Sequence, residues 1–399
     1  MRRTSIPAPP PIPRQHGFSI IELMVGLLVG MLAVLIIVQL LYATSTQQRQ
    51  TSTSGDAGIN AATVSHVLAR ELSQAGLGIS AYTLLGCSLT YTTTSDSKSV
   101  TLSSLAPVTV NPSTSLLPAG DGGTDTLLVI SGSSASPTEG DTLAGTSTAT
   151  SYTVSTPSSF TAGDWVMAAS TTRESSSSCA LILGKVTAIA SYVLTVSTGT
   201  AGLASAEAAV YNLGAAPVVH AYAVRNGNLT VCDYTTYNCG DASYTTTLNS
   251  SVWVPVASHI ASLRAQYGRD TSDLSTPKMD GVVDSYDQIT PGSTSDTSGL
   301  SSYCGWLRVV GLRFAVVSRS QQYDKSAVTA TAPTWSGSSA NTSTTSTLTT
   351  VTPTALAIDL GANSDWTHYR YKTIETTVPL RDIIWNGNQV TYQSGDVTC

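Results

Sequence analysis

Residues 18–41 form an almost unbroken apolar run, interrupted only by Ser19, Glu22 and Gln39. About 24 residues of helix reach about 36 Å, enough to cross a bilayer core with some tilt. From Ala43 to about Gln74 there is no proline, and Val64, Val67, Leu68, Leu72 and Ala75 recur on one helical face opposed by Arg70 and Gln74. The spacing predicts an amphipathic continuation of the helix over residues 43–79 that lays its stripe on a β-sheet. Gly55 and Gly58 weaken its middle, and Gly76 and Gly78 end it. After Ser80 the period changes. Short apolar runs such as DTLLVIS, DWVMAAS, CALILGKVTAI, SYVLTVS and EAAVYNLG are bounded by Gly, Ser, Thr or Asp and read as strands.

Two further strands stand out, Leu307 to Val317 and Trp366 to Ile384, together with a hairpin from Pro217 to Cys232 around Asn226-Gly227. In the first, Val310, Leu312, Phe314 and Val316 face one way and Arg313 the other. The Ser/Thr-rich stretches near 89–115, 132–151, 270–302 and 325–352 read as long loops. The pattern as a whole predicts an α+β fold, a long N-terminal helix packed on an antiparallel sheet. Trp165, Trp306 and Trp366 sit in strand-like contexts and are expected in the core.

Composition narrows the setting. Only 11% of the 399 residues are charged and the formal net charge is −6, which excludes a nucleic-acid partner for want of concentrated positive charge. The six cysteines, Cys87, Cys179, Cys232, Cys239, Cys304 and Cys399, include no C-x-x-C pair, so disulfides in an oxidising compartment are expected. Of the pairings, Cys232 with Cys239 is the one the short polar tip between them suggests.

Residues 1–17 carry Arg2, Arg3 and Arg14 and end in Gly17, so the positive charge precedes the apolar run and the bulk of the chain is expected to be exported. The small residue lies before the run, where cleavage leaves the anchor on the mature chain. Cutting after Gly17 frees an amine on Phe18, one helical turn from Glu22, which compensates that carboxylate within the chain or on a neighbour. Gly26 and Gly30 make a G-x-x-x-G pair that permits close helix approach, although tolerance of Gly in membrane helices explains them equally well.

Gly17-Phe18-Ser19-x-x-Glu22 ahead of an apolar helix resembles the class III signal of type IV prepilins and type II secretion pseudopilins. The resemblance implies cleavage between Gly17 and Phe18 by a prepilin peptidase, N-methylation of Phe18, and docking guided by Glu22. LARELSQAGLG at Leu68 to Gly78, QYGRDTS at Gln266 to Ser272, DGVVDSYD at Asp280 to Asp287, WLRVVGLRFAVVSRS at Trp306 to Ser320 and TTVPLRDII at Thr376 to Ile384 are similar to the landmarks of PilW-type minor pilins. Such proteins more usually end the last strand in Leu-Arg-Asn, where this chain has Leu380-Arg381-Asp382, and many major pilins carry a mid-anchor proline that this chain lacks. The segment from about 89 to 215 matches nothing in the family pattern and reads as an inserted lobe.

The resemblance implies a pilin-like fold with long disulfide-tied loops: a removed leader 1–17, a transmembrane helix 18–42, its periplasmic continuation, and a β-rich domain 80–399. It implies an inner-membrane, single-pass chain with a periplasmic C-terminus that later joins the pilus at the cell surface. Its implied partners are other minor pilins, the major pilin, the prepilin peptidase and a PilY-type tip adhesin, in service of twitching motility and adhesion. Two other readings stand beside it, a GspJ-type pseudopilin and a pilin-anchored adhesin with a ligand-binding lobe.

Catalytic chemistry has little support. His66, His220, His259 and His368 are scattered, and no G-x-S-x-G, H-E-x-x-H, Walker or G-x-G-x-x-G motif occurs, so neither an enzyme nor a cofactor is expected. Asp270, Asp273, Asp280, Asp284 and Asp287 cluster in sequence, and Asp280, Asp284 and Asp287 are weak Ca²⁺ candidates that lack the order of a calcium loop.

Overall fold

A computed structural model describes residues 17–133, 139–173, 179–246, 249–272, 279–296, 298–337, 355–360 and 363–387. Residues 1–16 of the leader, Asp273 and Cys399 lie outside the described residues. One helix, Ile20–Leu72, crosses the boundary between two compact units, residues 1–53 and 54–399.

From Ile20 to Tyr42 the helix is apolar on every side but for Glu22 and Gln39. Ile20–Ser45 is long and apolar enough to cross a membrane, and none of it is buried. No proline interrupts it.

In the second unit the same helix becomes one-sided. Ala57, Ala61, Val64, Leu68 and Leu72 are buried, and after the helix Ala75 continues the row. The Ser318 hydroxyl donates to the Ala57 carbonyl and pins the row to a strand. Val67, expected in the stripe, is 38% exposed. It lies at i−1 from Leu68, about 100° round the helix, and a narrow seam excludes it. The helix stops at Leu72, short of residue 79. Turns follow, and Gly76, at φ +97, donates its N–H to Ile130 O at 2.9 Å. That conformation is the left-handed one that glycine adopts without steric cost.

The buried row faces two antiparallel sheets. One has the order Ser285–Asp287, Ile260–Arg269, Val309–Arg319, Tyr371–Pro379; the other runs Val254–Ser258, Asn228–Asp233, Val218–Arg225, Leu127–Ser131, Val108–Val110. Val64, Leu68, Leu72 and Ala75 share a core cluster with Leu263, Leu312, Phe314 and Val316 of the first sheet and Val108, Leu127 and Val129 of the second. Asp125 ties the two sheets together. It accepts from Asn111 Nδ2, Ala265 N and Gln288 Nε2 at 2.8–2.9 Å and faces Arg264 at 3.3 Å.

A third sheet closes on itself. Its order is Asp141–Thr142, Ala208–Gly214, Trp165–Ser170, Gly184–Ala190, Val193–Val196, Ser151–Thr153, and a bridge between Leu143 and Val154 joins the ends. It encloses a core of its own that includes Tyr152, Phe160, Val166, Val186, Leu194 and Val210. All of it falls within the stretch that matched no family pattern.

Several sequence expectations change. The stretch 89–115 holds the strands Ser88–Thr92, Ser99–Leu102 and Val108–Val110. Leu89, Tyr91, Val100 and Leu102 are buried between more exposed Thr and Ser, and threonine, which reads as loop in a low-complexity run, is a good strand former. Ser285–Asp287 lies within 270–302, the two-residue Asp141–Thr142 within 132–151, and Thr334–Trp335 within 325–352, whose residues 338–352 lie outside the described residues. Trp306 sits in a short helix, Ser302–Leu307, and the strand begins only at Val309. Both faces of that strand are covered: Phe314 and Val316 join the helix-facing core, and Ala315 and Val317 pack with Trp335 and Ile358. The expected strand from Trp366 to Ile384 divides into a 3-10 turn, Trp366–His368, the strand Tyr371–Pro379, and a helix, Arg381–Gly387. Pro379 brings no donor to the ladder, and Asp382 falls in the first helical turn, where a carboxylate is favoured. Trp366 is half-buried.

Leu68→Ala should cost about 2–5 kcal/mol and Val67→Ala no more than about 0.5 kcal/mol, read as urea-unfolding free energies of the full chain in detergent. Equal costs would contradict the narrow seam.

Candidate assembly site

The amino end of the long helix carries the residues that the sequence singles out. Gly17, Phe18 and Ser19 precede the first helical residue, Ile20, and Leu23 N donates to Ser19 O at 3.1 Å. Ser19 thus stands at the N-cap, and Ser19-Ile20-Ile21-Glu22 has the S-x-x-E spacing of a capping box. The sequence reading missed this signal, which places Glu22 in the first turn, where unpaired backbone N–H groups favour a carboxylate. Phe18 is 82% exposed.

Gly26 and Gly30 follow one turn apart. A Cβ built on either meets no atom within 4 Å, so both leave the backbone open to close approach by another helix. At the far end of the span the hydroxyls of Thr44 and Ser45 return to Leu40 O and Tyr42 O at 2.9 Å, satisfying their donors within the helix.

Cys87 pairs with Cys179 and Cys232 with Cys239, Cα to Cα 4.9 and 6.0 Å, and Cys304 is disulfide-bonded as well. The first bond lies where the strands Ser88–Thr92 and Ala180–Ile182 begin their parallel pairing.

The acidic residues near 270–287 are a clamp on the core. Buried Arg269 binds Asp287 through two nitrogens, Nε at 2.6 Å and Nη2 at 3.0 Å. Fully buried Asp270 accepts from Ser272 N at 3.0 Å and Gly281 N at 2.8 Å, and Arg308 Nη1 donates to the carbonyls of Asp270 and Ser272 at 3.2 and 3.1 Å. Asp284 accepts from Thr271 N at 2.7 Å and Asp280 from Val282 N at 2.8 Å. Each of the calcium candidates Asp280, Asp284 and Asp287 therefore has a partner within the fold. Among the described residues no three His, Cys, Asp or Glu side chains come together as a metal site.

The histidines are likewise separate. His66 is exposed, His259 is half-buried with Nδ1 3.1 Å from Ser258 Oγ, and His368 Nδ1 lies 2.7 Å from Asp324 O. His220 belongs to a cluster that the sequence did not disclose. Glu71, in the last turn of the long helix, contacts His220 Nδ1 at 3.0 Å and accepts from the Tyr222 hydroxyl at 2.7 Å. Burial opposes a charged imidazole, but the hydrogen bond and charge of Glu71, with Asp233 adding to them, hold the His220 pKa above its ordinary value. The Tyr222 phenol is pushed up by burial and by the same carboxylate. The cluster fastens the end of the helix to the strand Val218–Arg225, and its parts lie 149 and 151 residues apart, beyond the reach of any local pattern.

Comparison with known proteins adds two matches. Residues 221–382 match the family model described as Type IV Pilus-assembly protein W, and residues 12–38 match the prokaryotic N-terminal methylation motif. The first match covers the hairpin around Asn226-Gly227, the clamp and the long strands; the second contains Gly17, Phe18, Glu22, Gly26 and Gly30. The closed sheet and the landmark at Leu68 to Gly78 lie outside both. No curated protein and no solved structure matches the chain.

A group whose folded pKa is raised adds stability that is complete below its ordinary pKa, about 6.5, and lost as pH rises through the raised value. The thermal midpoint of the full chain should therefore fall on passing from about pH 5.5 to about pH 8.5, and His220→Gln should flatten that portion of the curve. Asp287→Ala, which strands a buried guanidinium, should cost about 3–5 kcal/mol in urea unfolding; a cost below about 1 kcal/mol would mean that water replaces the pair.

Proposed function

We propose that this PilW-type prepilin-like chain is a minor pilin, cut between Gly17 and Phe18 and assembled through its long helix into a complex that primes or caps the type IV pilus. The observation that carries the reading is the union, in one chain, of the methylation motif, a fully exposed apolar span and a PilW match in the exported part. An apolar helix with no cover of its own needs lipid before assembly and other helices after it.

The mechanism is helix docking. Cleavage leaves the Phe18 amine beside Glu22, and the N-methyl group keeps that amine basic. The pair enters the low-dielectric interior of a filament either as an internal couple or as a carboxylate offered to the amine of the neighbouring subunit, where an uncompensated charge costs a few kcal/mol. Gly26 and Gly30 then let a neighbouring helix approach closely. The partners are other minor pilins and the major pilin, after the prepilin peptidase in the inner membrane, with a PilY-type adhesin at the tip. The basic leader keeps the amino end cytoplasmic and the disulfide-bonded domain periplasmic until extrusion. Supporting twitching motility and adhesion is the role that follows from this position.

The closed sheet of residues 141–214 favours a second component of the same reading, in which the pilin anchor displays that lobe at the surface. The test of assembly is mass spectrometry of sheared filaments for a peptide that begins at N-methylated Phe18. Glu22→Ala should be processed normally yet be missing from filaments; normal incorporation of the variant would overturn the docking role.

A further inference from the structure

Arg319 and Tyr371 are register partners near the end of the ladder between Val309–Arg319 and Tyr371–Pro379. The Arg319 guanidinium stacks on the ring of Tyr369, 4.8 Å from its centroid, and among the described residues it has no ion pair or hydrogen bond. Its Nη2 leans over the Asn226-Gly227 turn, 3.7 Å from where a Cβ on Gly227 would stand. The Tyr371 hydroxyl also has no partner among the described residues, and burial pushes its pKa up to about 12 although Arg319 pulls the other way.

These two groups border a cavity of about 310 Å³. Asn363 and Asn226 supply carboxamides to its wall. The Asn363 Oδ1 is taken by Asp365 N at 3.0 Å, which leaves its NH₂ open, and the Asn226 side chain has no partner. Ile260 and Leu360 provide an apolar part of the lining. The Asp121 carboxylate, also in the wall, already accepts from Asn226 N and Gly227 N at 2.9 and 2.8 Å.

Arg319, Tyr371 and Asn363 are half-buried and Asn226 is exposed, so their free polar groups stand open to water that a ligand with matching groups can displace. A guanidinium braced on an aromatic ring presents a planar fork matched to a carboxylate. The carboxamides and the phenol suit hydroxyl groups, and the apolar lining suits the C–H face of a sugar ring. Asp121 and Asp359 in the same wall oppose a polyanion, so one negative group is the most that the site favours. The volume also exceeds what a lone carboxylate fills.

We infer that this cavity binds an acidic monosaccharide unit, a hexuronate, with its carboxylate on Arg319 and its hydroxyls on Asn226, Asn363 and Tyr371. The inference does not depend on the assembly role.

The test is calorimetric titration of the full chain in detergent micelles with glucuronate, glucose and acetate. Glucuronate should bind, and glucose and acetate should each bind about tenfold or more weakly. Arg319→Met should weaken glucuronate by about tenfold or more and leave the thermal midpoint unchanged, with Arg319→Lys in between. If Arg319→Met fails to fold, Tyr371→Phe, which keeps the ring, should weaken glucuronate several-fold. No glucuronate binding, equal binding by the Arg319 variant, or acetate as tight as glucuronate would overturn the proposal, the last because a protein carboxylate would serve as well as a sugar.

Discussion

One helix, Ile20–Leu72, has to satisfy two solvents. Its first part shows apolar side chains all round, a surface that water does not stabilise and that lipid or other helices do. Its last part shows one buried row against two sheets, and each fully buried Leu there contributes on the order of 1.5–3 kcal/mol relative to exposure. The two demands are met by composition alone, because a helix satisfies its own backbone in either medium. A strand in the same place would need neighbours along its whole length.

How much of this was legible follows from the range of each signal. The span and the stripe through Val64, Leu68 and Leu72 are local, so spacing along the chain discloses them, whereas the capped amino end, equally local, went unread. Val67 was misjudged because period alone does not tell how wide a seam the facing surface permits. The hairpin at Asn226-Gly227 was legible because two consecutive residues at φ +51 and +70 suit few other pairs. Strands such as Ser99–Leu102 were hidden by their own composition, since threonine serves a loop and a half-buried strand equally. The disulfide Cys232–Cys239 closes over a sequence separation of 7, whereas Cys87–Cys179 spans 92 and depended on the path of the chain. The Glu71–His220–Tyr222 cluster belongs to the same class of non-local contacts.

The polar landmarks have a common explanation. QYGRDTS and DGVVDSYD supply Arg269, Asp270, Asp284 and Asp287, and WLRVVGLRF supplies Arg308. Together they fasten the irregular segment before the short helix Ser302–Leu307 to the end of the long strands. Replacing one member leaves another buried and unpaired, so the group behaves as a unit. Such segments look like binding motifs in a sequence because buried structural networks and ligand sites draw on the same residue types.

The closed sheet leaves and rejoins the five-stranded sheet at one point. Ser131 and Val218 are register partners in the five-stranded sheet, and between them Ser133 N donates to Leu213 O at 2.7 Å. Residues 132–217 are therefore, in connectivity, the loop of a hairpin. Lengthening such a loop costs only about 0.6 kcal/mol for each doubling. The sheet beneath keeps its register whatever the length of that loop. Cys87–Cys179 and the pairing of Ala180–Ile182 with Ser88–Thr92, however, hold the lobe to the rest of the fold at its middle. Growth is therefore free at its outer turns and not at the face that shares the core with Leu128 and Ile130.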